Sequence, residues 1–173
     1  GLVHYFVLII IAVYPVENWL MQDRKDRGGF YRYANDLAVS LKTAYGDDWT
    51  IATPSYSRSS ALAYAMGRDV TVFGVGSRYG RQYDLNYDFR NYEGQNIVIV
   101  APTEDEIASL RSYFSSYKLR EFMLPVSSVF VVEGYGFEYE EYSETVLKSV
   151  IANYYQSNLG IPMAACEYVD RLN

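Results

Sequence analysis

The chain has 173 residues and a formal net charge of −6, and 50% of its residues are apolar. This length and apolar fraction fit one domain with a buried core and exclude an intrinsically disordered chain. The acidic balance, without a basic face in the sequence, argues against a nucleic-acid binder. Cys166 is the single cysteine, which excludes a disulfide framework, a cysteine zinc cluster and a redox pair.

Residues 2–14 form an apolar run that only His4 interrupts. The run is shorter than the ~20 residues that cross a bilayer, and it lacks the basic flank and the cleavage site of a signal peptide. Two interpretations stay open: the outer end of a transmembrane helix, which we favour, and a buried strand rich in Val and Ile. The charged stretch 17–29 indicates a linker, so we divide the chain into residues 1–29 and a single domain over residues 30–173.

Helices and strands alternate from residue 30 onward. Tyr33, Leu37 and Leu41 recur at helical spacing and predict a helix over residues 30–44. The pattern further predicts strands over residues 49–53, 70–73, 97–101 and 126–133, and helices over residues 59–66, 103–117 and 143–155.

Three further segments carry weaker patterns. Residues 119–124 are ambiguous, residues 137–142 suit an antiparallel arm, and a short last helix fits around residues 164–172. Strands that alternate with helices predict an α/β fold. We expect a mainly parallel sheet of about four to five strands, flanked by helices, with an optional antiparallel edge strand.

The longest predicted loop lies between the strands over 70–73 and 97–101. It opens with Gly74, Gly76 and Gly80, whose spacing resembles a dinucleotide-binding fingerprint. The spacing is too long for that fingerprint, and no helix N-terminus follows to hold a phosphate. We therefore interpret these glycines as shaping the exit of the loop.

The middle of this loop mixes aromatic rings with groups that bond sugars and phosphates. Rings stack on sugar faces, amides and carboxylates bond hydroxyls, and arginine pairs with phosphate. The candidate binding residues are Arg78, Tyr79, Arg81, Gln82, Tyr83, Asp84, Asn86 and Tyr87. The alternative, which has more weight on the residues alone, is that these side chains anchor the loop to its own sheet.

No catalytic or metal-binding set stands out in the sequence. His4 is the only histidine and lies in the apolar run, where we interpret it as structural, so we expect no Ser-His-Asp or Cys-His site. The Glu-rich stretch 138–141 would supply a paired-carboxylate site only if carboxylates converged in space. Asp84, Asn86 and Asp88 lack the closing acidic ligand of an EF-hand loop. We predict no catalytic residue, no metal and no cofactor.

Several segments between residues 33 and 142 resemble a known family. They are the Ser/Tyr-led helix at 55–64, the motif Arg81-Gln-Tyr-Asp84, the glycine before a strand at 94–100 and the acidic helix that follows. They resemble the C-terminal extracytoplasmic domain of polytopic glycosyltransferases of the dolichyl-phosphate-mannose protein mannosyltransferase and aminoarabinose transferase type. The usual pattern of that family has Asn before Gln-Tyr and Trp after Asp, where this chain has Arg81 and Leu85.

The resemblance implies a tail domain after the last membrane helix, tethered to the membrane on its periplasmic or outer face. The family's catalytic carboxylates lie in loops of the membrane portion, so this chain would not be catalytic alone. It would cover the active-site cavity, or help to bind a glycan acceptor or the polyprenyl-phosphate sugar donor. Its partner would be the membrane portion of the same polypeptide.

Two other functions stay open. A free-standing α/β module would bind a carbohydrate or small molecule in a pocket lined by Arg78, Tyr79 and Tyr83. A protein-interaction domain would use exposed members of the 19 tyrosines, whose rings combine an apolar body with a polar tip. A stand-alone enzyme ranks last, because no convergent catalytic set is visible.

Overall fold

The computed structural model describes residues 3–6, 30–76, 78–80, 83, 86–100, 104–125 and 128–155. The strands are β1 Thr50–Thr53, β2 Thr71–Val72, β3 Ile97–Val100, β4 Phe114–Met123 and β5 Ser128–Phe137. The helices are α1 Ala34–Tyr45, α2 Tyr56–Met66, α3 Glu104–Leu110, α4 Tyr139–Tyr142 and α5 Lys148–Val150. The π-helical turns Ser143–Leu147 and Ile151–Tyr155 extend α4 and α5 into one C-terminal helical segment, residues 139–155.

The strands form one sheet in the order β2-β1-β3-β5-β4. β1 pairs in parallel with β2 and with β3, whereas β5 pairs antiparallel with β3 and with β4. The sheet therefore has a parallel part and an antiparallel edge, β4. This arrangement, with helices on the sheet, confirms the predicted α/β fold.

Helices cover both faces of the sheet. On the first face, Leu37 and Leu41 of α1 and Leu62 of α2 pack with strand residues that include Ile51 and Val98. On the second face, α3 and the C-terminal helical segment pack against the alternate strand residues, which include Ile99 and Val132. Because successive side chains of a strand point to opposite faces, β3 must be apolar throughout, as its sequence Ile-Val-Ile-Val is.

Phe73, which directly follows β2, is the centre of the second face. Its ring centroid lies 4.6 Å from that of Tyr142 and 5.8 Å from that of Phe114. Three more rings lie within 6.2 Å of it: Phe89, Tyr113 and Phe137. Such aromatic contacts add to the burial of large apolar area, so this cluster ties β2 to the antiparallel hairpin of β4 and β5 and to the C-terminal helical segment.

Gly134 of β5 lies directly beneath the ring of Phe114. A Cβ atom at Gly134 would be 2.5 Å from the nearest atom of that ring. The missing side chain at this position is therefore what lets the aromatic ring lie flat against the hairpin backbone.

Several predicted boundaries are wrong at the antiparallel edge. The helix predicted over 103–117 ends at Leu110 and a 3₁₀ turn, and the ambiguous segment after it belongs to β4. β5 extends to Phe137 rather than ending at residue 133. The antiparallel edge strand is β4, not the arm predicted over 137–142, because packing of Tyr142 into the aromatic cluster selects a helix there.

Other predictions fall mainly outside the described residues. These are the interpretation of residues 2–14, the linker over 17–29 and the short helix around 164–172; of the first, residues 3–6 are described as helical. Within the part of the chain that the structure describes, no helix has both the length and the apolar character needed to cross a bilayer.

Candidate functional site

The carboxyl ends of the parallel strands lie at one edge of the sheet. There, the helices that follow two neighbouring strands pack on opposite faces of the sheet. α2 follows β1 and packs on the first face, whereas α3 follows the neighbouring strand β3 and packs on the second face. Such a switch point leaves a crevice outside the carboxyl ends of the strands, where α/β proteins bind ligands. Pro54 and Gly74, which lie just beyond β1 and β2, both line a cavity at this edge. We call this cavity the switch-point crevice.

The switch-point crevice has a volume of about 350 Å³. Its walls are mostly apolar and come from strand ends, α3 and the C-terminal helical segment: Phe73, Val75, Ile99, Leu110 and Val146. Its polar lining is hydroxyl-bearing: Ser109, Tyr113, Thr145 and Ser149. No described residue that lines it carries a charge, so its chemistry favours an uncharged ligand with an apolar surface and hydroxyl groups.

Two glycines form the wall that the long loop contributes. Gly74 and Gly76 have positive φ angles of 93° and 57°, which residues with a Cβ rarely adopt. The amide N–H of Gly74 donates to the hydroxyl oxygen of Tyr142 at 2.9 Å, and the carbonyl of Gly76 accepts from the hydroxyl of Tyr154 at 3.0 Å. The C-terminal helical segment thus fixes the glycine turn, in keeping with its predicted role as a loop exit.

The hydroxyl groups of the crevice are held by local hydrogen bonds. Thr145 Oγ1 donates to the carbonyl of Glu141 at 2.7 Å and lies 3.2 Å from the hydroxyl of Tyr113. Ser149 Oγ donates to the carbonyl of Thr145 at 2.7 Å. Because a hydroxyl oxygen keeps acceptor lone pairs after donating its proton, Thr145 and Ser149 present fixed acceptors for a ligand's O–H groups.

The predicted binding loop continues from the glycine turn along α2. The rings of Tyr83 and Tyr87 stack, with centroids 5.9 Å apart and planes 13° from parallel. Tyr56 of α2 meets Tyr83 edge-on at 6.2 Å, and Ser60 Oγ lies 3.3 Å from the Tyr83 hydroxyl. Burial, together with the carboxylate of Asp69, raises the pKa of Tyr87. These contacts anchor the loop to its own domain.

The other candidate residues of the loop are either exposed or not fully described. Tyr79 is 78% exposed and Asn86 is also exposed. Arg78 lies in a 3₁₀ turn, Arg78–Gly80, and its side chain is not described; Arg81, Gln82 and Asp84 lie outside the described residues. The structure therefore brings Tyr83 and Tyr87 together, and ligand binding by the set of eight stays a prediction.

Sequence reasoning missed the residues that complete the crevice. Thr145 and Ser149 belong to a helix whose apolar stripe predicts only core packing, and no spacing in the sequence relates them to Gly74. One signal was present: Pro54 and Gly74 each follow a predicted strand, and the carboxyl ends of parallel strands share one edge.

Metal binding finds no support in the described part of the chain, where no group of three or more His, Cys, Asp or Glu residues is placed to hold an ion. The buried residues there include one acid, Glu133, whose carboxylate bonds Tyr45 of α1 on the face of the sheet opposite to the crevice. Comparison with known proteins found no family model, no curated protein and no solved structure that matches this chain.

Proposed function

We propose that this chain is the extracytoplasmic accessory domain of a membrane glycosyltransferase that uses a lipid-phosphate sugar donor, and that it is not catalytic alone. The segments between residues 33 and 142 that resemble such enzymes support this proposal. In this role the domain is tethered to the membrane and works with the membrane portion of its own polypeptide.

The switch-point crevice is the observation that carries the proposal. The long loop that contains the resembling motif also builds one wall of the crevice through Gly74 and Gly76. A volume of about 350 Å³ falls at the lower end of the range of small-molecule sites, roughly 300–1,000 Å³. Apolar walls with hydroxyl groups suit the carbohydrate part of the sugar donor or of the glycan acceptor. They suit the phosphate of the sugar donor less well.

A titration with neutral sugars tests the binding role. We expect methyl glycosides to shift the amide NMR signals of Gly74 and Gly76 in the 173-residue chain. Ser149→Trp fills the crevice and should abolish the shifts, whereas Asn153→Trp, on an exposed position of the same helical segment, should leave them unchanged. Shifts that are absent, or equal in both variants, contradict the proposed site.

The coding sequence upstream of Gly1 tests the membrane role. We expect it to encode several apolar segments of about 20 residues each, long enough to cross a bilayer. An initiator codon directly before this chain, without such segments upstream, contradicts the proposal.

A free-standing carbohydrate- or small-molecule-binding module is the second candidate. The crevice favours it, because its volume of about 350 Å³ and its apolar, hydroxyl-bearing lining suit a small ligand. Sugar binding at the crevice combined with the absence of upstream membrane segments would select this function over the first. A role in protein interaction would instead be favoured if substituting Tyr79 and Tyr83 changed the binding of a partner protein and no sugar bound.

A further inference from the structure

A second cavity lies at the opposite end of the sheet, near the start of β1 and β3. It has a volume of about 330 Å³ and lies between the end of α1 and the β4–β5 hairpin. Besides Ala44 and Leu119, three aromatic and three charged residues line it: Tyr45, Trp49, Tyr135, Lys118, Arg120 and Glu133. We call it the hairpin pocket.

Glu133 is the buried anchor of the hairpin pocket, with 4% of its surface exposed. Its Oε1 accepts from the Tyr45 hydroxyl at 2.8 Å and lies 3.2 Å from Arg120 Nε, and its Oε2 accepts from the Tyr135 hydroxyl at 2.9 Å. A buried carboxylate needs such partners, because an unpaired buried charge is strongly unfavourable. The carboxylate is therefore fully engaged and holds Arg120 and the two tyrosines in place.

The two cations of the pocket retain binding capacity. The ion pair of Arg120 uses Nε, and half of its side chain is exposed, so its planar fork can meet a second acceptor through the Nη nitrogens. Lys118 lies opposite Glu133 in the hairpin register, yet its Nζ forms no ion pair with any described acid. The Nζ atom lies over the ring of Tyr135, 5.5 Å from its centroid. Two cations against one carboxylate leave the pocket locally positive in a chain of net charge −6.

Trp49 adds a ring-binding surface to this positive pocket. Its ring lies 5.4 Å from that of Tyr45 and meets Tyr135 edge-on at 5.2 Å, so both tyrosines fix its orientation. Trp49 is only half-buried and lines the pocket. An indole that lines a pocket supplies an apolar aromatic surface for the ring of a ligand.

We propose that the hairpin pocket is a binding site for a small organic anion in which a phosphate or carboxylate is attached to a ring. Lys118 and Arg120 bind the anionic group, Trp49 stacks on the ring, and Glu133 is a positioning residue that orients Arg120. The site is independent of the switch-point crevice and of the proposed glycosyltransferase role.

Calorimetric titration of the 173-residue chain tests this site. The probes are glucose 6-phosphate, glucuronate, inorganic phosphate and glucose. We expect one of the two ring-bearing anions to bind in the millimolar range or tighter, inorganic phosphate to bind more weakly, and glucose not to bind at this pocket. The better of the two anions identifies the group that the pocket takes.

Matched variants locate the response. Lys118→Gln should weaken binding about tenfold, because it removes one charge-assisted hydrogen bond. The control Lys148→Gln removes another exposed lysine, from the far side of the sheet, where it pairs with Glu144, and should change nothing. Trp49→Leu should reduce the affinity for the ring-bearing anion to that for inorganic phosphate.

Three outcomes would contradict the proposed binding site. They are no binding of either ring-bearing anion, an equal loss in the two lysine variants, and a ring preference that survives Trp49→Leu. Circular dichroism of each variant establishes that the fold is retained, and Trp49→Phe, which keeps a ring, should restore most of the binding.

Discussion

The two ends of the sheet hold spaces of similar volume, about 350 Å³ and about 330 Å³, that are built in different ways. At the carboxyl end, backbone turns at Gly74 and Gly76 shape the crevice, and its walls are apolar. At the amino end, paired side chains around Glu133 shape the pocket. One end is thus suited to select a ligand by shape and hydroxyl groups, and the other by charge.

The largest expected effect comes from removing the aromatic centre of the crevice end. Phe73→Ala should lower the free energy of unfolding by about 4 kcal/mol, because it deletes a ring that is 1% exposed and touches five others. Urea unfolding followed by circular dichroism measures the change. Tyr64→Ala, at a position that is 91% exposed, is the control. A loss below about 1 kcal/mol would show that the cluster is not the core of this end.

Breaking the charged end should have a smaller effect. Glu133→Ala leaves two tyrosine hydroxyls and Arg120 without their acceptor, and we expect a loss of about 2 kcal/mol in unfolding free energy. The half-exposed Arg120 can turn to water, which keeps the loss below that of a fully buried pair. Glu121→Ala, exposed on the same hairpin, is the control. Equal losses in the two variants would contradict an anchoring role for Glu133.

Tyr45 of the hairpin pocket should make stability depend on alkaline pH. Burial, followed by the hydrogen bond to Glu133, raises the pKa of Tyr45 above its ordinary value of about 10. Above pH 10 the folded chain therefore binds a proton that the unfolded chain has released, so stability falls as the pH rises. Tyr45→Phe should reduce this fall, whereas Tyr64→Phe should not. Thermal unfolding between about pH 8 and pH 11 measures the difference; identical slopes would remove Tyr45 as a cause.

The smallest expected effect sharpens the difference in ligand selection. Ser149→Ala should change the unfolding free energy by less than about 0.5 kcal/mol, since Ser149 bonds only its own helix and is partly exposed. It should nevertheless weaken binding of a neutral glycoside about threefold, through loss of one hydroxyl acceptor, and leave anion binding at the hairpin pocket unchanged. An effect on anion binding would mean that the two ends are coupled.

The parallel part of the fold and the strand β5 could be predicted from sequence, and the position of the edge strand β4 could not. β1 and β3 are buried on both faces and have β-branched runs that indicate strands, and α1 shows a clear apolar stripe. β4 is an edge strand whose exposed positions mix polar residues with the apolar Leu119 and Met123, so its sequence lacks a clean alternation. Conversely, tyrosine and glutamate alternate around Tyr139 as in a strand, and tertiary packing makes that segment helical.

The sites were predictable only in part for a similar reason. Tyr83 and Tyr87 are four residues apart, and the hydrogen bond from the Tyr87 amide to the Tyr83 carbonyl makes the helical turn that stacks them. The sequence alone shows this separation of four residues, which is typical of one helical turn. Tyr45 and Glu133 are 88 residues apart, and only the completed sheet brings them together. No local sequence pattern predicts such a pair.

Gly134 has a consequence for how the hairpin selects its alignment. Phe114 fits over Gly134 because no side chain stands there, and the neighbours Glu133 and Tyr135 offer no such gap. A slip of β4 by one residue would turn every side chain of the strand to the opposite face. Lys118 and Arg120 would then point into the aromatic core. The missing side chain at Gly134 thus favours one alignment of the hairpin, which keeps Lys118 and Arg120 on the side of the sheet that holds Glu133.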